Sequence, residues 1–254
     1  AIVLSLHFNL LTMAKQVLPY KDSDQNKKEQ VRQMFDTISG KYDGLNRLIT
    51  FGTDTFWRKR LIRLVSSQNP ESVLDIATGT GDLALAFGKT PAKEVVGLDL
   101  SPGMLEIGKK KVVSSGLQQK ISMVLGDSEA LEFEDQSFDA VTVAFGVRNF
   151  ENLEKGLSEI HRVLKPGGIL AILETSVPEK KFFKWGYQLY GKYALPVLGK
   201  LFSAEGTAYS YLSESAAAFP YGEEFNNILG KIGFIGMKHE PQTFGVATIY
   251  TATK

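Results

Sequence analysis

Cysteine is absent from this chain, and histidine occurs only three times, as His7, His161 and His239. Without thiols there can be no disulfide, no thiolate metal site and no cysteine nucleophile. The histidines stand far apart and form no H-E-x-x-H spacing, so a transition-metal site is not expected. An excess of charge of one sign is missing too. Lys and Arg number 29 against 28 Asp and Glu, a formal net charge of +1, which gives no general pull toward nucleic acid or an acidic partner. Any such contact must be local. Long apolar runs are lacking as well. The opening stretch Ala1 to Leu11 is apolar but has no basic front and is too short to span a bilayer, and no other segment does better. The expectation is a cytoplasmic protein whose natural start is Met13, with residues 1–22 an extension outside the fold. There are no internal repeats and no low-complexity tract.

Enough apolar material is present, 43% of 254 residues, for one sizeable domain spanning 23–254. The chain is organised around Val73-Leu74-Asp75-Ile76-Ala77-Thr78-Gly79-Thr80-Gly81-Asp82. Val73 to Ile76 reads as a buried strand and Leu83 to Phe87 as a helix, so the glycines make a strand-to-helix turn. Gly79 and Gly81 allow backbone to approach a ligand closely, and the helix start offers unpaired N–H groups. Gly79, Gly81 and Ala84 also satisfy the dinucleotide pattern G-x-G-x-x-G/A, and a purely structural turn is a third reading.

Ahead of this turn the spacing predicts three helices, over Ser23–Ser39, Asp43–Ile49 and Asp54–Val65. They would form a cap over 23–70 that presents Phe35, Tyr42, Phe51 and Trp57 either to the core or to a ligand. After it, strands at Glu94–Leu98, Ile121–Leu125, Phe138–Ala144 and Ile169–Glu174 are interspersed with helices at Ser101–Val113 and Asn152–Leu164. Such alternation predicts an α/β, doubly wound, mainly parallel sheet. Lys165-Pro166-Gly167-Gly168 reads as a helix stop turning into the next strand. Residues 178–230, with Tyr187, Tyr190, Tyr193, Tyr209, Tyr211 and Phe219, break the rhythm and read as a helical insertion. Phe234–Lys238 and Gly245–Thr251 then close the sheet as an edge hairpin. Lys109-Lys110-Lys111 reads as a solvated face.

In open α/β sheets ligands bind beyond the carboxyl ends of the strands, so the residues there carry the chemistry. They are Thr78 to Gly81, Asp99, Gly126-Asp127-Ser128, and Ala144 to Asn149. Asp99, twenty residues past Gly79, could accept both hydroxyls of a ribose, although Asp99 and Asp127 would also serve as cap and turn formers.

These stretches, together with Arg162-Val163-Leu164-Lys165-Pro166-Gly167-Gly168, resemble the class I S-adenosylmethionine-dependent methyltransferases. More narrowly, the chain is similar to the quinone-biosynthesis C-methyltransferases, which methylate demethylmenaquinol and in some organisms a polyprenyl methoxy-benzoquinol. That likeness rests on Phe35-Asp36 with Tyr42-Asp43 and Asn46, on Phe145-Gly146-Val147-Arg148-Asn149, and on Ser210-Tyr211-Leu212-Ser213-Glu214-Ser215 with Phe219-Pro220. The resemblance implies a seven-stranded Rossmann-like sheet and S-adenosyl-L-methionine as cofactor, held by Gly79, Thr80, Gly81, Asp99, Asp127, Ser128 and, where many members have serine, Ala144. It implies Arg148 and Asn149 on the oxyanion side of a methyl transfer to a reduced quinone. Tyr42, Asn46 and Tyr211 would then contact the quinol, and a water, Tyr42, Tyr211 or Asp82 would be the base. If not catalytic, Arg148 would pair with a cap acid such as Glu214. A substrate this lipophilic implies peripheral membrane contact; a homodimer is possible and nucleic acid is not expected. The competing readings are an NAD-dependent oxidoreductase, which would place its first strand nearer the start of its domain, and a non-catalytic binding module.

Overall fold

The computed structural model describes residues 17–178, 180–189 and 206–254. Met13, Tyr190 and Tyr193 lie outside the described residues, as do the side chains of Tyr187 and Tyr209. Three helices come first, α1 (Lys27–Ile38), α2 (Tyr42–Ile49) and α3 (Asp54–Ser66), followed by β1 (Ser72–Ile76) and α4 (Asp82–Gly88). The chain continues through β2 (Glu94–Asp99), α5 (Pro102–Ser114), β3 (Ile121–Leu125), β4 (Phe138–Ala144), α6 (Leu153–Val163) and β5 (Leu164–Thr175). It then runs through α7 (Lys181–Leu189), α8 (Gly206–Ala218), α9 (Glu223–Ile232), β6 (Ile235–Gln242) and β7 (Ala247–Thr253). Caps fix several starts: Asn26, Ser101 and Asn152 each accept a backbone N–H from the first turn of α1, α5 and α6, and Pro102 opens α5.

The seven strands form one sheet in the order β3-β2-β1-β4-β5-β7-β6, parallel except for β7, which runs antiparallel to both neighbours. Period-two alternation sends Val73 into one core layer with Trp57, Leu61 and Phe87, and Leu74 and Ile76 into the other with Leu157, Ile160 and Phe225. A third cluster, Val31, Met34, Ile38, Met104 and Tyr211, binds α1 to α5 and α8.

Four expectations change. Val17 and Tyr20 pack against the third cluster and the Tyr20 N–H donates to Gln30 Oε1 at 2.9 Å, so contacts with the fold begin before Ser23. β5 starts at Leu164, and Pro166-Gly167-Gly168 lies within the strand at an irregularity in its pairing with β4. A Cβ on Gly168 would stand 2.8 Å from the Lys165 carbonyl, so only glycine fits there. Helix α9 is no part of a cap insertion, because it packs on α6 and β6 as a covering layer of the sheet. Lys111 is not a solvated cation. Its ammonium lies 2.7 Å from Asp82 and 2.9 Å from Thr80 Oγ1, and also pairs with Asp43.

Candidate active site

The strand order reverses between β1 and β4, and two cavities lie against the loops that leave this end of the sheet. The smaller is walled by Gly79, Asp99, Asp127, Ser128 and Ala144 from the sheet, and by Lys28, Phe35 and Tyr42 from the cap. Its floor is the β1–α4 turn, where Ala77, Gly79 and Gly81 all have positive φ, 51°, 58° and 79°. A Cβ on Gly79 would meet only Tyr42 Cε1, at 3.9 Å, which leaves bare backbone at this wall. Asp99 closes the turn: Oδ2 accepts the Gly79 N–H at 2.7 Å and Oδ1 the Ser101 N–H at 2.9 Å. Burial pushes its carboxyl up to about 6 despite those hydrogen bonds. Beneath it Asp75, buried and held by Thr78 and Thr142 hydroxyls at 2.6 and 2.8 Å, is raised to about 6 for the same reason. Asp127 is tied to Lys28 at 2.6 Å.

The cap is fastened across this cavity by polar contacts that no local pattern reveals. Lys27, buried and lowered to about 8 by that burial, donates to the Arg148 and Phe150 carbonyls at 3.0 and 2.7 Å. Asp36 accepts the Gly103 N–H at 3.0 Å. Thr80 Oγ1 donates to Asp43 at 2.6 Å. Thr80 and Gly81 therefore do not line the cavity. Thr80 is spent on the cap, and Gly81 turns toward Met123, whose Cε would stand 3.1 Å from a Cβ there.

The larger cavity, of about 480 Å3, is mainly apolar and aromatic, with Trp57, Phe145, Phe182 and Phe244 among its walls. Tyr42 and Phe145 belong to both cavities and form the partition between them. Phe145 holds this place with φ at 59°, an uncommon backbone for a bulky residue, and its neighbour Gly146 has no room for a Cβ against Ala77. Arg148 lines the larger cavity, whereas Asn149 lines the smaller, so the two residues expected to act together face different chambers. Asn46 lines the larger one and donates to Asp54 at 3.3 Å.

Arg148 pairs with Glu174 of β5, not with Glu214, which pairs instead with Lys21 at the surface. The Arg148–Glu174 pair is buried, and the carboxylate holds the guanidinium firmly charged. The same guanidinium donates to the Phe145 carbonyl at 3.0 Å, yet Arg148 Nε, also buried, has no acceptor among the described residues. Tyr211 lines neither cavity: it is buried under α1 and its hydroxyl donates to Asn149 Oδ1 at 3.1 Å. Burial raises both Tyr42 and Tyr211 above the ordinary phenol range, which makes them donors rather than bases. Asp82 is held by Lys111 and lines neither cavity, and no carboxylate lines the larger one among the described residues. Nothing local in the sequence marks Glu174, Lys28, Asp43 or Lys111 for these roles. The only hint for Glu174 is an acid at the end of an apolar strand.

A seven-stranded sheet with β7 reversed, carrying an acid-walled cavity over its glycine turn beside an apolar one, defines a class I methyltransferase. A solved structure described as a S-adenosylmethionine-dependent methyltransferase, possible histamine N-methyltransferase, from Thermotoga maritima shares this fold. Its TM-score is 0.61 at 21% identity, over 87% of this chain and 99% of that one. The pattern of the ubiE/COQ5 methyltransferase family matches residues 23–254, and the chain belongs to that family. Among its relatives, the demethylmenaquinone methyltransferase of Bacteroides fragilis is 45% identical, covering 94% of this chain and 98% of that protein. The ubiquinone/menaquinone biosynthesis C-methyltransferase UbiE of Geobacter sulfurreducens is 46% identical over 90% of each.

Proposed function

We propose that this enzyme methylates a ring carbon of a reduced polyprenyl quinone precursor, converting demethylmenaquinol to menaquinol, with S-adenosyl-L-methionine as methyl donor. A methoxy-polyprenyl-benzoquinol is a second acceptor of the same chemistry. When bound, the cofactor supplies an electrophilic methyl group on a sulfonium. The smaller cavity fits its nucleoside. Asp99 has two carboxylate oxygens with acceptor capacity beyond the two N–H groups they already take, enough for two ribose hydroxyls. Gly79 offers bare backbone, Asp127 and Ser128 face the base, and Ala144 contributes only main chain and a methyl.

The observation that carries the acceptor assignment is the Arg148 guanidinium, a cation held charged by buried Glu174 on the wall of an apolar cavity. A hydroquinone becomes nucleophilic at carbon as its hydroxyl loses a proton, and the resulting oxyanion is the charge this cation stabilises. Arg148 stays protonated, so it stabilises charge and does not remove the proton. With no carboxylate on this wall among the described residues and both tyrosines held neutral, the proton leaves to water. Tyr42 and Phe145 hold the ring against the partition, Asn46 contacts its polar edge, and Asn149, braced by Tyr211, positions the cofactor side of the same partition. The isoprenoid tail keeps the acceptor in the bilayer, so the enzyme works at the cytoplasmic face of a membrane. Among the described residues no helix is long and apolar enough to cross it.

The test is a single-turnover assay with labelled S-adenosyl-L-methionine and short-tail demethylmenaquinone, reduced or oxidised. Labelled menaquinol from the reduced ring alone is the expected result. Cofactor binding without transfer to either form would remove the quinol assignment and leave the fold.

A further inference from the structure

Among the described residues the aliphatic Val113, Leu125 and Ile235 face water away from both cavities, whereas four of the exposed aromatic side chains gather at one place. Phe51, Phe182, Phe244 and Trp185 are 62–76% exposed, and all four line the larger cavity, so they stand at its mouth. Phe56, 65% exposed, follows Phe51 in the chain at the start of α3 and is outside the cavity wall. Two of these are presented by backbone that bulky residues seldom adopt: φ is 49° at Phe51 and 62° at Phe244. Phe244 sits at the tip of the β6–β7 hairpin, stacked on Phe183 of α7 with ring centroids 4.2 Å apart. Trp57 Nε1 steadies the tip by donating to Thr243 Oγ1 at 2.8 Å. A strained backbone that pushes an aromatic ring into water lowers stability, and such features persist where function holds them.

The charge round this mouth differs from that of the whole chain. Across Tyr42–Ser66 there are five Arg and Lys against two Asp, in a protein whose net charge is only +1. Both acids are engaged, Asp43 by Lys111 and Asp54 by Arg58, while Arg47 and Lys59 are exposed. The segment leading into and through α7 reads Lys180-Lys181-Phe182-Phe183-Lys184-Trp185. Aromatic rings interleaved with cations are the composition of a surface that settles at the level of anionic lipid headgroups.

We infer that the aromatic rim of the larger cavity, with Arg47, Lys59 and Lys180, docks on an anionic lipid bilayer, so that the cavity opens directly onto the membrane. This rests on the reading of that cavity as the site of a membrane-borne acceptor. The cavity mouth then never faces bulk water during turnover, and the acceptor ring enters while its tail stays among the lipids.

The experiment is flotation of the full chain with quinol-free vesicles of phosphatidylcholine, with and without phosphatidylglycerol. Trp185 emission is followed in parallel, since Trp57 is already buried. Phe56→Ser/Lys59→Gln lies outside both cavities and serves as the variant, with circular dichroism to confirm its fold. Wild type is expected to float only with phosphatidylglycerol present and to shift its emission to the blue. Loss of Lys59 weakens partitioning about fivefold in low salt, and loss of Phe56 about tenfold more. Wild type and variant should methylate a water-soluble, short-tail quinol equally. Wild type that fails to float, or a variant that floats as well as wild type, overturns the inference. So does a solution dimer that this variant splits, because a second copy then covers the rim. If wild type floats but leaves the short-tail quinol unmethylated, the docking surface stands and the acceptor assignment falls.

Discussion

The two cavities share the Tyr42–Phe145 partition and almost nothing else. The smaller is built from backbone and carboxylates at strand ends: the bare turn at Gly79, Asp99 with two main-chain donors, and Asp127. The larger is built from aromatic rings on the cap, α7 and the hairpin tip, with Arg148 as its one cation among the described residues. A water-soluble cationic cofactor is recognised by many placed polar atoms; a lipophilic ring is recognised by shape, exclusion of water and one charge at the reacting oxygen. The difference teaches that each half can be broken separately, which makes the assignment testable.

The largest effect is expected at Arg148. Arg148→Met should lower the single-turnover rate about 10²–10³-fold with cofactor affinity unchanged, the loss seen when one oxyanion donor is removed. The same change strands the buried Glu174 carboxylate and should cost about 3–5 kcal/mol of stability. Arg148→Met/Glu174→Gln should restore the melting temperature and not the rate. A double variant that recovers turnover would show that Arg148 matters only as a structural ion pair.

Next comes Asp99→Ala, whose expected effect falls on the other cavity: cofactor dissociation constant raised about 10²-fold, from two lost charge-assisted hydrogen bonds, with little change in rate at saturating cofactor. A change confined to the rate would exchange the roles given to the two cavities.

A smaller effect follows from pH. Asp99 accepts ribose hydroxyls best as a carboxylate, so cofactor affinity should fall as pH drops through about 6, and Asp99→Asn should flatten that profile. Stability runs the opposite way. The folded-state pKa values of Asp75 and Asp99 lie above their unfolded ones, so folding favours the protonated forms and stability is lost as pH rises through about 6. Urea titrations at pH 5 and pH 8 measure this, and Asp75→Asn should reduce the difference.

The smallest effect is expected at Thr80. Thr80→Val breaks the tie to Asp43 and Lys111 and should cost about 1 kcal/mol, with the cofactor dissociation constant nearly unchanged. A large loss of affinity would return Thr80 to the cofactor contacts the family resemblance implies.

Most of the sheet was legible in the sequence because strands and helices announce themselves locally. Val73 to Ile76 is apolar up to the acid that starts the turn, Ser101-Pro102 opens a helix, and Ile121–Leu125 and Phe138–Ala144 lie where their composition puts them. Gly79, Asp99, Asp127, Ser128 and Ala144 were legible as a group because the α/β architecture places strand ends together. The pairings of Thr80 with Asp43, Arg148 with Glu174 and Lys28 with Asp127 span 37, 26 and 99 residues, and no period or motif carries such information. The composition of 178–230 reads as one cap, yet its last helix covers the sheet, because an apolar face says that a helix is buried and not against what.

By itself, the sequence determined the alternating α/β order, the glycine turn and the acids at the strand ends, since these follow from backbone stereochemistry and hydrophobic period. Only the tertiary structure decided that Arg148 and Asn149, adjacent in the chain, face different chambers. It also decided that Thr80 fastens the cap instead of lining a cavity, and that the exposed aromatic rings of α7 and of the α2–α3 and β6–β7 connections share one mouth. The physical reason is that a side chain's partner depends on how distant elements pack, and no residue's own neighbours in sequence encode that packing.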